Sequence, residues 1–108
     1  RASMAIAMTD ENRAKLNALV RRLRKQTMTK QEIMEMFDTN ERTARDMVSE
    51  VAKRCPIPSN SESSGYKIAT RREDIPAVIH AINENNKRAA EILKRNEPIK
   101  KFLEEITA

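Results

Sequence analysis

A mainly α-helical domain with one small β-ribbon is the fold class this chain predicts, and three observations predict it. The apolar inventory is aliphatic, with six Met, one Tyr and two Phe in 108 residues, a mixture that suits packed helices better than a β-sandwich. Two short helical patterns separated by a tight turn occupy residues 29 to 54, followed by a polar, Ser-rich stretch that divides two short β-like runs. From Ile75 onward the apolar residues recur in steps of four and three, the spacing of a long helix with one apolar seam.

The first helix opens at Thr9 or Asp10, either of which caps its amides, with Glu11 in the first turn where the helix dipole favours an acid. Leu16, Leu19, Val20 and Leu23 form its apolar stripe. From Arg13 to Lys25 there are six Lys/Arg and no acid. That run reads either as a solvated face with cations near the helix C-terminus or as a strip that meets phosphates. Residues 1–8 carry no caps and little pattern and are expected to be a flexible N-terminal segment. Met4 and Met8 offer alternative natural starts.

Gln26-Thr27-Met28 connects to the second helix and offers a short first strand. Thr29 and Glu32 match the capping box T-x-x-E, in which the hydroxyl serves the N3 amide and the carboxylate reaches back to the cap amide. Ile33, Met36 and Phe37 are expected to face the core. Asp38-Thr39-Asn40 is the turn. Its first position wants a positive φ, which Asp tolerates, and Asn40 caps the next helix. That helix starts at Glu41 and runs to about Arg54, with Ala44, Met47, Val48 and Val51 on one face. Cys55-Pro56 ends it, because the residue before proline disfavours the α region.

Pro56-Ile57-Pro58 allows only a short edge-type strand. A polar tip, Ser59 to Gly65, carries the chain's only glycine, and Tyr66 to Thr70 alternates as a half-buried return strand should. A long helix then begins near Glu73-Asp74, with Pro76 tolerated in its first turn. Its seam is Ile75, Ile79, Ile82, Asn86, Ala89, Leu93 and Asn96, with Asn86 at an a-type position. Pro98 interrupts the helix, and Ile99 to Ile106 forms a short amphipathic end. The seam either packs back on the domain or pairs with a second chain. Asn86 is costly in a monomer core but sets register in a parallel dimer, so Ile79, Ile82, Asn86, Ala89 and Leu93 are candidate dimerisation residues of a homodimer.

The net charge of +5 and pI near 9.7 favour a polyanion partner. The single cysteine, Cys55, excludes an intramolecular disulfide and a four-thiolate zinc site, and fits a reducing, cytoplasmic location. No apolar run approaches a membrane span, and no signal-peptide core is visible. No glycine-rich phosphate loop, serine elbow or paired-carboxylate signature is present, so catalysis and a cofactor or small-molecule ligand are not expected. His80 lacks clustered partners for a metal and reads as a surface or helix-packing histidine.

Gln31-Glu32-Ile33, the Asp38-Thr39-Asn40 turn and Glu41-Arg42-Thr43-Ala44-Arg45 resemble the helix-turn-helix of bacterial and phage winged-helix regulators. Pro56-Ile57 with Ser64-Gly65-Tyr66-Lys67-Ile68 is similar to the wing of the biotin repressor N-terminal domain and of small phage winged-helix proteins. The resemblance covers residues 10–72, although Asp38 replaces the usual turn glycine, Thr39 a common aliphatic, and Glu62 puts an acid at the wing tip. It implies a winged helix-turn-helix domain (a three-helix core plus wing, residues 9–72) with a helical extension at 73–108. The implied function is sequence-specific binding of double-stranded DNA, as a transcriptional regulator or a phage replication or packaging component. The alternative is a protein–protein interaction module on the same scaffold, which the acids Glu41, Asp46, Glu50 and Glu62 favour. For DNA, Arg42, Thr43 and Arg45 are the candidate base readers, with Asp46 and Ser49 beside them. Lys53, Lys67, Arg71 and Arg72 are candidate phosphate contacts.

Overall fold

The computed structural model describes residues 6–58 and 65–108. Its elements are α1 (Asp10–Lys25), α2 (Lys30–Phe37), α3 (Glu41–Ala52), a 3-10 turn (Arg72–Asp74), α4 (Ile75–Lys94) and α5 (Asn96–Thr107). Three short helices pack around one core. Leu19, Leu23 and Ile33 are fully buried there, with Leu16, Met28, Ala44, Met47, Val48, Val51 and Ile68 around them. The expected stripes of α1 and α3 are therefore the faces that pack. On α2, Met34 rather than Met36 joins Ile33 and Phe37 against the core, and Met36 is exposed.

Thr9 caps α1, accepting from the Asn12 amide at 3.1 Å. The described part of the segment before it, residues 6–8, makes contacts with the domain. Ile6 and Met8 pack on the core, and the Asn12 side chain donates to the Ala7 carbonyl at 2.8 Å. The capping box of α2 forms in both directions: the Glu32 amide donates to the Thr29 hydroxyl at 3.1 Å, and the Thr29 amide to the Glu32 carboxylate at 2.8 Å. Helix α3 ends at Ala52, two residues short of the expected Arg54; the Arg54 and Cys55 amides both bond back to the Val51 carbonyl.

The expected β-ribbon does not form. Among the described residues no strand is present and the fold is helical, so the wing is not part of it. Residues 59–64, the expected tip including Glu62, lie outside the described residues. Proline chemistry explains the first arm: Pro56 and Pro58 have no N–H, which leaves Ile57 as the arm's sole backbone donor. One bond crosses between the arms, from the Ala69 amide to the Pro56 carbonyl at 2.8 Å. Tyr66 instead pairs with Met28 in an isolated antiparallel bridge, with bonds of 2.9 and 2.7 Å, and the Ile68 amide donates to the Leu23 carbonyl. The segment thus closes the C-terminal end of α1. Gly65 permits this by its small size rather than by an unusual backbone, since its φ is not positive. A Cβ there would sit 2.7 Å from the Thr27 methyl and 2.8 Å from the Met28 carbonyl oxygen.

Helix α4 leaves the core instead of packing back on it. From Asn85 to the C-terminus every residue is exposed; α4 packs mainly against the 3-10 turn and α5, and α4 with α5 forms a C-terminal arm. The radius of gyration is 17.6 Å, against roughly 13 Å for a compact chain of this length. The helix is interrupted at Arg95, one turn before the expected Pro98, because a proline ring displaces the carbonyl four residues back and forms no bond to it.

Candidate nucleic-acid interface

The α2–turn–α3 unit is held by backbone chemistry. Asp38 adopts the left-handed conformation (φ 49°, ψ 57°). Its amide bonds to the Glu35 carbonyl at 3.4 Å and the Thr39 amide to the Met34 carbonyl at 3.0 Å. This pair of bonds is a Schellman motif, which satisfies the last carbonyls of α2 and reverses the chain. Asn40 then accepts from the Thr43 amide at 2.8 Å, so its side chain is used as the cap.

Burial of Ala44, Met47, Val48 and Val51 fixes the rotation of α3. At 3.6 residues per turn the opposite face carries Arg42, Arg45, Asp46, Ser49 and Lys53. Five of the nine candidate DNA-binding residues therefore form one stripe, with Thr43 at its edge. Arg42, Arg45, Ser49 and Lys53 are exposed, while Thr43 and Asp46 are half-buried. Thr43 and Asp46 also line a cleft of about 360 Å³ that reaches Asn12 and Lys15 of α1.

The cations of this stripe differ in their engagements. Arg45 is 2.7 Å from the Glu41 carboxylate, which also receives Lys30 at 3.0 Å. The hydrogen bond from Lys30, then the charges of Lys30 and Arg45, hold the Glu41 carboxyl below its ordinary range. Lys53 meets Glu50 at 2.6 Å. Arg42 has no ion-pair partner among the described residues. Nor do Arg21, Arg22, Arg24 and Lys25 at the end of α1; that end lies beside residues 65–68 through the Ile68–Leu23 bond. Glu41 as a junction between α2 and α3 was not visible in sequence, because Lys30 is eleven positions away and nothing local pairs them.

Lys67, Arg71 and Arg72 form a separate group at the start of the arm. Lys67 is 3.4 Å from Asp74, whose other oxygen accepts the Thr70 and Arg71 amides at 2.9 and 3.1 Å. The bonds from Thr70 and Arg71 hold the Asp74 carboxyl below its ordinary range. Arg72 is exposed in the 3-10 turn. Asp74 as the organiser of this junction was missed, though an acid three residues after the first free amide is the acidic half of a capping box.

On α4, Ile79, Ile82, Asn86, Ala89 and Leu93 are all exposed, Ile82 at 53% and Leu93 at 64%. His80 is exposed on the same helix. No helix among the described residues is long and apolar enough to cross a membrane. No protein-family model, curated protein or solved structure matches this chain.

Proposed function

We propose that this chain binds double-stranded DNA in a sequence-specific manner, with α3 as the helix that enters the major groove. One observation carries the reading: a short helix, a Schellman turn and a capped second helix present a polar stripe on the face opposite the core, with Arg42, which has no ion-pair partner among the described residues, at its N-terminal half. A helix of this kind offers its N-terminal side chains to base edges, and a guanidinium can bond guanine at two atoms or clamp a phosphate. The cations at the end of α1, which have no ion-pair partner among the described residues, supply phosphate neutralisation, for which the chain's net charge of +5 is suited. On this reading Arg42, Thr43 and Arg45 discriminate bases, and Lys53, Lys67, Arg71 and Arg72 meet the backbone. The site bound would decide between a regulator of transcription and a component of phage replication or packaging.

Fluorescence anisotropy on a mixed-sequence duplex over a salt series, beside an R42A/R45A variant, tests the reading. Salt-steep binding that the variant weakens, with a shallower salt slope, is the expected result. Absence of binding at low salt would refute it and turn attention to a protein partner for the same face, where Glu41 and Glu50 already neutralise two of the cations.

A further inference from the structure

The chain exposes far more surface than a compact monomer of its mass should. The accessible area is 8371 Å², against roughly 6,100 Å² expected for a compact monomer of this mass. The excess, on the order of 2,000 Å², exceeds the roughly 800 Å² per partner that a standard stable interface buries. Apolar side chains are exposed along the arm: Ile82 and Leu93 on α4, and Ile99, Phe102, Leu103 and Ile106 on α5, are each more than half exposed. The face is organised for one class of occupant. Counted through Arg95, whose backbone stays right-handed helical (φ −67°, ψ −17°), Ile75, Ile82 and Ala89 fall at d positions and Ile79, Asn86 and Leu93 at a positions.

We infer that the arm pairs with the arm of a second copy of this chain as a parallel, in-register two-stranded coiled coil. Asn86 chooses the orientation: it is exposed in the single chain, and at an a position it meets its own copy only when the helices are parallel and in register.

Two measurements on the full chain test this. Sedimentation equilibrium over a rising concentration series should show a dimer, weakened at least about a hundredfold in I82E/L93E by removal of two buried aliphatic side chains. In a Cys55→Ser background, Ala89→Cys should oxidise to a covalent dimer, because paired d positions lie within disulfide reach. Glu84→Cys, on the outer face, should not. A monomer at every concentration, a dimer indifferent to I82E/L93E, or a dimer that cross-links at Glu84→Cys and not at Ala89→Cys would each overturn the inference.

Discussion

Replacing Glu41 by Gln should tighten DNA binding. The carboxylate stands in the first turn of α3, 2.7 Å from Arg45 and 3.0 Å from Lys30. It therefore occupies two cations that a phosphate would otherwise attract, and adds a negative charge of its own to the face. With α3 in the groove and a phosphate taken at about 7 Å from the Glu41 carboxylate, the Coulomb repulsion removed by the amide corresponds to roughly three-fold tighter binding at a water-like dielectric and about fifty-fold at an effective dielectric near 20. Low-salt values should fall between these bounds, and the gain should shrink toward physiological salt, where the Debye length is about 8 Å. If the released cations each engage a phosphate, the slope of log affinity against log salt should steepen by about 0.9 per contact. The assay is anisotropy on mixed-sequence duplex over a salt series, with circular dichroism to verify that the fold is retained. Unchanged or weaker affinity with an unchanged slope would refute the placement of this end of α3 against the DNA backbone.

Three further outcomes concern the fold that carries the face. Gly65→Ala should destabilise the domain by about 1–3 kcal/mol, read as a lower urea midpoint: the Thr27 methyl can rotate away from the new Cβ, but the Met28 carbonyl is held by the Tyr66 amide at 2.7 Å. At the left-handed turn position, Asp38→Ala should lower stability by about 1 kcal/mol while Asp38→Gly does not; equal melting temperatures for the two variants would remove the left-handed strain from the account. For Asp74, the folded pKa lies below the ordinary unfolded value of about 3.9. The stability it contributes is therefore fully present above that value and is lost as pH falls through the lower folded one. Asp74→Asn should flatten this acid limb of a melting-temperature profile, and an identical limb in both proteins would count against the carboxylate as the junction's organiser.

Local chemistry was legible in the chain by itself. The capping box at Thr29 and Glu32, the cap at Asn40, the left-handed Asp38 and the apolar stripes of α1 and α3 all depend on groups within four residues of one another, and backbone geometry leaves few other solutions. Once Ala44, Met47, Val48 and Val51 were assigned to the core, the stripe of Arg42, Arg45, Ser49 and Lys53 followed from helical periodicity alone. The alternating run at Tyr66 to Thr70 misled, because alternation reports a half-buried extended segment without naming its neighbour. Pro56 and Pro58 lack the donors for a ladder, and the groups that segment satisfies are at Leu23 and Met28, some forty positions earlier. Long-range pairings of this kind are set by which unsatisfied backbone groups the packed helices leave within reach. For the same reason only the tertiary structure joined Lys30 to Glu41, and only it showed that the core formed by α1 to α3 leaves the seam of α4 uncovered. The heptad spacing stated that the seam must be buried against something; the three-dimensional fold decided that this chain's own core is not what buries it.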